Sequence, residues 1–366
     1  MKRLDVAITP ELAAVVEYRK SGLSLNHVVG CPLDCGYCVR HLFSNFDMKH
    51  PHLLISDEEA VELLVRHWAF RAHATPIQIF NRATDPFLAN VKRHLINSLR
   101  LLDDMGLTNH VLIITRWKVA DEDVAMLDRL SNLRVTVLVT WSGIDDARIE
   151  PVDSAIAEQS LENLSRLAVR TRKMLYWRPI VAGLNDSDSH IARASRLSAF
   201  ADATVFTGMF HRDEIREYLR STGVEDLYPD VARRKIMPRE LEARILAEFS
   251  GRSIFRKTSC GVAFAHRTHD YNGHYGIEGL CDICPGSQVE ICAAVHSTPS
   301  RTDVERLAET AGLNPAAVSL GDGCLYVADS TEPQRYFMQH ALGFQVHDRA
   351  LPHLPGRHGR AETGWR

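Results

Sequence analysis

The sequence predicts an α/β fold in which parallel strands alternate with helices to form a partial barrel. The first observation is the alternation itself, because buried strands separated by helices of about 10 to 15 residues are typical of βαβ units. The second is a cysteine-rich loop directly after the first strand, where parallel sheets bind ligands. The third is size: 366 residues, 45% of them hydrophobic, can fill the core of one large domain and a smaller appendage.

The first strand is expected at residues 24–30, and it delivers the cysteine loop at its C-terminal end. Ser56 and Glu59 have the spacing of a capping box, which predicts a helix that starts there. Periodic apolar positions then predict strands at 76–80, 111–115, 134–140, 174–178 and 204–207, with helices at 86–105, 121–130, 159–170 and 185–200 between them. These units predict a six-stranded partial (β/α)6 barrel.

The region after the barrel is less regular. A helix is expected at 239–249 and a short strand at 253–256, whereas residues 260–292 are rich in Gly, His and Cys and show little periodicity. A small α/β piece follows, with helices at 302–311 and 333–342 and a hairpin turn at Gly321-Asp322-Gly323. The predicted organisation is therefore an N-terminal extension (1–23), the barrel (24–258), a cysteine-rich region with the small α/β piece (259–350) and a disordered tail (351–366).

Composition restricts the class of protein. The formal net charge of -3 is close to neutral, which argues against a body that is entirely a nucleic-acid clamp. Asp5 and Glu11 interrupt the N-terminus before an apolar segment could form, and the sequence has no apolar run near the length of a membrane span. We therefore expect a soluble, cytoplasmic protein that has no membrane partner and whose thiols are reduced.

The most informative stretch is CPLDCGYC, in which Cys31, Cys35 and Cys38 follow the spacing CxxxCxxC. Three thiolates on one tight loop can hold three irons of a 4Fe-4S cluster and leave the fourth iron free for another ligand. Two alternatives are a zinc knuckle, which needs a fourth ligand, and a redox dithiol.

These cysteines resemble the motif of the radical SAM superfamily, in which S-adenosyl-L-methionine binds the open iron and is cleaved to a 5′-deoxyadenosyl radical. The resemblance covers roughly residues 24–260. The runs TWSGIDDARIEP and WRPIVAGLND look like the corresponding strands of members related to spore photoproduct lyase. It implies a radical SAM barrel, a radical SAM enzyme and an external one-electron donor such as flavodoxin or ferredoxin. It also places the ring of Tyr37 against the adenine of the cofactor.

The resemblance further suggests cofactor contacts at the ends of the strands. Ser142 would lie near the ribose, Arg116 would pair with the methionyl carboxylate, Ile180, Val181 and Asn185 would border the adenine, and Thr84 and Asp85 would receive the methionyl amino group. Structural alternatives are that Ser142 begins a turn, that Asn185 caps the next helix, and that Asp85 is an N-cap before Pro86.

A second group of cysteines lies beyond the barrel. Cys260, Cys281, Cys284 and Cys292 have the spacing C-x20-C-x2-C-x7-C, which supplies four thiolates for a second 4Fe-4S cluster or for structural zinc. Between them, the segment HRTHDYNGHYG is either a polar substrate-binding loop or a solvated loop with satisfied histidines.

The class of substrate stays open at this point. A near-neutral charge and the compact polar loop favour a small polar metabolite, and the similarity to spore photoproduct lyase favours a nucleic-acid lesion or base. The basic residues Arg166, Arg170, Arg172 and Lys173 are explained more simply as a solvated helix face. A peptide substrate and a zinc-binding interaction protein without enzymatic activity are the remaining alternatives.

Overall fold

The computed structural model describes residues 10–43, 45–228, 232–233, 238–277, 279–321 and 323–350. The strands are β1 (Val16–Arg19), β2 (Gly22–Leu25), β3 (Val28–Val29), β4 (His52–Leu53), β5 (Ile77–Ile79), β6 (His110–Thr115), β7 (Arg134–Trp141), β8 (Arg172–Ile180), β9 (Ala203–Gly208), β10 (Phe210–His211), β11 (Ala232–Arg233), β12 (Ile254–Phe255), β13 (Ser319–Leu320), β14 (Cys324–Val327) and β15 (Gln345–Asp348).

Helices connect most of these strands. They are α1 (Pro10–Ala13), α2 (Asp57–Val65), α3 (Lys92–Asp104), α4 (Asp121–Leu127), α5 (Ser154–Leu167), α6 (Asp188–Ser198), α7 (Asp213–Ser221), α8 (Arg239–Glu248), α9 (Thr258–Ala265), α10 (Gly286–Val295), α11 (Arg301–Thr310) and α12 (Glu332–Leu342), with 3-10 turns at Val39–Phe43, Cys281–Ile283 and Pro315–Ala317.

The largest sheet has the strand order β1-β2-β5-β6-β7-β8-β9-β12 in the described part of the chain. All neighbours from β2 to β12 pair in parallel, and β1 pairs antiparallel with β2 at one edge. Since β1 and β12 are the two edges, the sheet is an open, partial barrel, which confirms the predicted fold class. The parallel strands therefore all present their C-terminal ends at the same rim.

Burial on both faces explains why these segments form central strands. Seven of the eight side chains of β7, from Val135 to Trp141, are buried, as expected for a strand covered on both faces. Helices cover the outer face with apolar stripes: Leu95, Leu99 and Leu102 of α3 join the same apolar cluster as Val137 of β7. The core thus runs through the sheet and its outer helices.

Several element boundaries differ from the sequence prediction. The expected strand at 24–30 is divided into β2 and β3, and β3 pairs with β4 instead of joining the main sheet. The helix expected from Pro86 begins at Lys92, because the carboxylate of Asp85 accepts the Phe87 N–H and residues 88–91 form turns. The expected helix at 159–170 starts earlier, because Asp153 caps it through the Ala155 N–H.

The C-terminal piece packs against the barrel. It contains a three-stranded sheet of order β13-β14-β15, and β13 and β14 pair antiparallel as predicted. Phe337 and Met338 of α12 belong to the same buried apolar cluster as Leu64 of α2. Asp322 of the predicted turn and the predicted tail at 351–366 lie outside the described residues, as do residues 1–9 of the predicted N-terminal extension.

None of the helices in the described ranges combines the length and the apolar character needed to cross a bilayer.

Candidate cofactor and metal sites

The backbone of the cysteine loop donates hydrogen bonds to carbonyl groups elsewhere in the chain. The Cys31 N–H donates to the Met48 carbonyl at 2.8 Å, and the Gly36 N–H donates to the Ile149 carbonyl at 2.9 Å. The guanidinium of Arg40, 2% exposed, donates to four carbonyls, those of Cys31, Asn45, Phe46 and Met48. A buried fork of donors thus ties the loop to the segment that follows it.

The three thiols of the loop converge. Cys31 and Cys35 are buried and Cys38 is half-buried, and the charges of Cys31 and Cys38 both act on Cys35. Burial raises the pKa of the Cys31 and Cys35 thiols. The loop therefore offers three neighbouring thiols that iron can bind once they lose their protons. This ligand set fits the predicted 4Fe-4S cluster.

A buried polar cluster surrounds Tyr37, next to the cysteines. The Tyr37 hydroxyl donates to Glu150 Oε2 and accepts from Arg116 Nη1 at 2.6 Å. The Ser142 hydroxyl donates to the same Glu150 oxygen at 3.1 Å, and Glu150 Oε1 lies 3.9 Å from Cys35 Sγ. Arg116 and Glu150 are 3.8 Å apart, so the cluster contains an ion pair.

These contacts explain the electrostatics of the cluster. Burial opposes the charged form of Arg116, but Cys35, Tyr37 and Glu150 outweigh that effect and raise its pKa well above the usual value. Burial also raises the pKa of Tyr37, with Glu150 adding to the effect. Glu150 was missed in the sequence analysis, although its position in the run TWSGIDDARIEP, shortly after a predicted strand, is a signal that could have identified it.

The two residues expected to receive the methionyl amino group differ in their bonding. The Asp85 carboxylate accepts the Thr115 hydroxyl at 2.7 Å and the N–H groups of Arg116 and Phe87 at 2.9 and 3.0 Å. The hydroxyl of Thr84 is buried and has no hydrogen-bond partner among the described residues. Both residues line the cavity that the cysteines face, but only Thr84 has an unused polar atom there.

The expected adenine and ribose contacts lie at the ends of β7 and β8. The Asn185 amide accepts the Val181 N–H at 2.7 Å and donates to the carbonyls of Ser142 and Pro179 at 2.6 and 2.8 Å. Its side chain therefore ties the two strand ends together. Neither Asn185 nor Asp186 caps α6, because Ser187 does. Ile180 and Val181 are both buried beside this bridge.

One large cavity begins at the cysteine loop. It has a volume of about 690 Å³ and extends over the inner faces of β5 to β9 as far as the start of α9. Apolar side chains such as Leu112, Ile114 and Val205 alternate in its wall with polar ones such as Gln78 and Tyr176. The far wall includes Lys257 and Ser259, so the cavity extends from the first cysteine group to the segment just before Cys260.

The four cysteines of the second group also come together. Burial raises the pKa of Cys260 well above the usual value, and the neighbouring thiols of Cys281, Cys284 and Cys292 add to this effect. Burial likewise raises the pKa of Cys284, to about 12, with Cys281 and Cys292 adding to the effect. The predicted grouping of the four cysteines is therefore geometrically possible.

Two further side chains join this group. Cys260 Sγ, a carboxylate oxygen of Asp270 and a ring nitrogen of His274 all lie within 4.8 Å of one another. Nδ1 of His274 lies 3.1 Å from the Asp270 carboxylate, and His274 lines the large cavity. The loop was expected to bind substrate or to be solvated. The structure buries Asp270 and His274 beside the cysteines, so these two side chains are not solvated, and substrate binding by the loop stays a prediction.

The second group is supported by more regular structure than the sequence predicted. Cys260 lies on α9 and Cys292 lies on α10, two helices that the sequence analysis did not identify. Cys292 Sγ accepts hydrogen bonds from the Asp270 N–H at 3.4 Å and from Gln288 Nε2 at 3.3 Å. Such donors to sulfur stabilise thiolate ligands and tune metal clusters.

The fold and the cysteine loop together define an open parallel α/β barrel with a three-thiol site at the rim where its strands end. No protein-family model matches the chain, and no curated protein does either. Solved structures do match. A cysteine-to-serine variant of spore photoproduct lyase aligns with a TM-score of 0.53 and 10% identity, over 70% of this chain and 87% of that one.

A second solved structure extends the comparison. Spore photoproduct lyase complexed with dinucleoside spore photoproduct aligns with a TM-score of 0.51 and 11% identity, over 66% of this chain and 78% of that one. At such low identity the likeness is one of fold. The predicted resemblance to the radical SAM fold of spore photoproduct lyase is confirmed at that level.

Proposed function

We propose that this protein is a radical SAM enzyme that acts on a small polar metabolite. The observation that carries the proposal is the position of Cys31, Cys35 and Cys38. They lie together on one loop at the rim of a parallel barrel, and they line a cavity of about 690 Å³. That volume is in the range typical of small-molecule sites.

The cofactors follow from the ligands that the loop offers. When bound, a 4Fe-4S cluster and S-adenosyl-L-methionine supply a 5′-deoxyadenosyl radical that removes hydrogen from a substrate carbon. The other thiols of the chain belong to the second group and to β14, so the loop itself provides three ligands and leaves one iron for the cofactor. An external one-electron donor would reduce the cluster.

The chain's own residues position the cofactor and exclude water. Thr84 contributes a buried hydroxyl with an unused hydrogen bond, which is suited to the methionyl amino group. Arg116 is half-buried and cationic beside the cysteines, which suits the methionyl carboxylate. The ring of Tyr37 packs against the guanidinium of Arg116, whose Cζ lies 4.9 Å from the ring centroid. Ser142, Ile180, Val181 and Asn185 would border the ribose and adenine, with Asn185 acting through the strand bridge.

The second cysteine group would hold one metal centre, either a second 4Fe-4S cluster or structural zinc. Its support is the convergence of Cys260, Cys281, Cys284 and Cys292 and the hydrogen bonds to Cys292 Sγ from Asp270 and Gln288. Its place behind His274, which lines the far wall of the cavity and whose Nδ1 lies 4.0 Å from Cys260 Sγ, would let it shape the substrate site.

A nucleic-acid component is the second candidate substrate. Spore photoproduct lyase, whose fold this chain shares, has been solved with a dinucleoside photoproduct bound. Comparing 5′-deoxyadenosine formation with polar metabolites and with dinucleotides over the uncoupled background separates the two candidates.

The first prediction tests the radical chemistry. Anaerobic, reduced protein with S-adenosyl-L-methionine should form 5′-deoxyadenosine and methionine, and Cys35→Ala should abolish this because one iron ligand is lost. Cys324→Ala, at a buried cysteine outside both groups, is the matched control and should retain cleavage. Product formation by Cys35→Ala at the parent's rate would refute the assignment.

The second prediction concerns the second centre. Two 4Fe-4S clusters give about eight irons per chain, falling to about four in Cys281→Ala/Cys284→Ala. Zinc at the second group instead gives about four irons and one zinc, with the zinc lost on substitution. Metal analysis of parent and variant decides between them, and a variant with the parent's full metal content would contradict the grouping.

A further inference from the structure

One wall of the large cavity carries two basic side chains, Arg178 and Lys257, and a hydrogen bond joins the strand of the first to the helix that follows the second. Arg178 lies near the end of β8, and its Nη1 donates to the Tyr176 hydroxyl at 2.9 Å. That hydroxyl also shares a hydrogen bond with the Thr258 hydroxyl at 3.1 Å, in the first turn of α9. The bond places Arg178 and Lys257 on the same side of the cavity.

Arg178 and Lys257 differ in charge compensation from two other basic residues of the cavity lining. Arg116 pairs with Glu150, and Arg256 pairs with Glu242 and Asp282. In the described part of the chain, no carboxylate forms an ion pair with Arg178 or Lys257. Burial and the nearby Lys20 lower the pKa of Lys257 well below its usual value, a penalty that a bound anion relieves.

The start of α9 adds to the positive potential. Lys257 is the N-cap residue, and among the described residues no side chain caps the helix. Uncapped N–H groups at a helix N-terminus attract negative charge. Thr258 and Ser259 of this first turn line the cavity, so the helix start faces the same space as the two cations.

Buried polar atoms across the cavity point independently to a ligand. Gln78 and Thr140 line it and are each 3% exposed. Nε2 of Gln78 and Oγ1 of Thr140 have no hydrogen-bond partner among the described residues. Since buried polar groups are normally hydrogen-bonded, a polar molecule in the cavity is the natural partner for both.

We propose that Arg178, Lys257 and the first turn of α9 bind a carboxylate or phosphate group of the substrate, while Gln78 and Thr140 hydrogen-bond its polar body. The inference rests on the proposed radical SAM function, which it deepens by making the substrate an anion. Arg178 and Lys257 are then binding residues that fix which carbon faces the cysteine loop.

The test measures anion binding to the full chain, reconstituted with iron and sulfide and saturated with S-adenosyl-L-methionine. Equilibrium dialysis with labelled inorganic phosphate and, separately, labelled acetate gives the two dissociation constants. The parent should bind at least one anion, and the tighter one identifies the group that the wall prefers. Affinity should fall as ionic strength rises, because the contact is electrostatic.

Substitutions of Arg178 and Lys257 test whether the anion binds at this wall of the cavity. Arg178→Gln and Lys257→Gln should each weaken the preferred anion roughly tenfold or more, the scale of one charge-assisted hydrogen bond. Arg148→Gln is the matched control, because Arg148 lies outside the cavity lining and pairs with Asp146. The control should bind the anion like the parent.

Two results overturn the inference. One is anion binding that is absent in the parent or unchanged in both variants. The other is loss of S-adenosyl-L-methionine affinity in Arg178→Gln as large as its loss of anion affinity, since the wall would then hold the cofactor's carboxylate. Failure of the proposed function is a separate result, namely no 5′-deoxyadenosine from the reduced parent.

Discussion

The adjacent residues Thr84 and Asp85, in the loop after β5, differ in whether their polar atoms are already hydrogen-bonded. The carboxylate of Asp85 is saturated by three donors from its own chain, and two of these are backbone N–H groups after β6 and before α3. Thr84 contributes a buried hydroxyl that no described group satisfies. The geometry therefore separates a residue that orders the rim from one that is available to a ligand.

Substitutions of Thr84 and Asp85 should therefore affect different properties, cofactor binding and stability. Thr84→Val should weaken S-adenosyl-L-methionine binding by about 0.5–1.5 kcal/mol, the net value of one hydrogen bond, and leave the thermal midpoint unchanged. Asp85→Asn should destabilise the fold by about 1–3 kcal/mol, because its amide NH2 would face backbone donors. Isothermal titration and thermal unfolding measure the two effects.

A reversed pattern, with Thr84→Val less stable and unaltered in cofactor binding, would contradict this division of roles. The sequence could name both residues but could not separate them. Both stand just after a predicted strand, and only the contacts of Asp85 with Thr115 and Arg116, distant in sequence, reveal that its carboxylate is occupied. Glu150 was missed for the same reason, since its partners Tyr37 and Arg116 are far away in the chain.

At the level of secondary-structure elements, carboxylates at the ends of two helices hold the segment that leads into the strand after next. Asp103, in the last turn of α3, accepts the N–H groups of Ser131, Asn132 and Leu133 just before β7, at 2.8 to 2.9 Å. Asp128, after α4, accepts the N–H groups of Val169 and Thr171 just before β8. Each carboxylate joins one βα unit to the next.

The pKa of Asp103 gives this role a pH dependence. Burial works against ionisation, but the N–H groups of Leu133, Ser131 and Asn132 outweigh it and lower the pKa below the ordinary 3.8. A carboxyl whose folded pKa is depressed stabilises the fold above the unfolded value. That contribution is fully present above pH 3.8 and is lost as the pH falls through the lower folded value.

Asp103→Asn should therefore lower stability at pH 7 by about 1–3 kcal/mol, and the difference from the parent should shrink as the pH falls below 3.8. Asp104→Asn, at the exposed neighbouring position, is the control and should change little. Thermal midpoints of the three proteins across the acid range provide the measurement. A deficit that stays constant down to the lowest pH would show that charge is not involved.

Local signals explain which elements the sequence predicted well. The capping box of Ser56 and Glu59 forms as expected, because both of its bonds are made within four residues. The helices α9 and α10 were not predicted, because their residues include glycine and cysteine and lack a clear apolar period. They are stabilised from outside: Val262 of α9 packs in a cluster with Met174 of β8 and Val205 of β9.

At the scale of the whole molecule, the C-terminal piece holds the loop of the second cysteine group. Gln339 of α12 and Gln345 of β15 both donate to the Asn272 carbonyl at 2.8 Å, and Gln345 also donates to the Gly273 carbonyl at 3.0 Å. His340 of α12 bonds to the Tyr18 hydroxyl of β1 at 2.7 Å. The piece thus links the N-terminal hairpin to the loop between Cys260 and Cys281.

A metal centre at the second group, as proposed above, would depend through this link on a distant strand. Gly273 has a φ of +62°, and a Cβ there would lie 2.5 Å from the Phe344 nitrogen and 2.6 Å from the Gly343 carbonyl carbon. Backbone cannot yield as a flexible side chain can, so the loop and β15 must separate. Gly276, in the same loop, has a φ of +79° but nothing within 4 Å of its Cβ position.

The two glycines therefore form a matched pair for the last prediction. Both Gly273→Ala and Gly276→Ala introduce the strain of a positive φ, about 1 kcal/mol, but only Gly273→Ala also pushes the C-terminal piece away from the loop. In a chain whose Cys31, Cys35 and Cys38 are replaced by Ala, all bound metal belongs to the second group. Gly273→Ala should reduce that metal content and make residues 260–292 more susceptible to proteolysis, whereas Gly276→Ala should remain close to the parent. Equal metal loss in both variants would mean that the strain of the loop, and not its contact with β15, controls the second site.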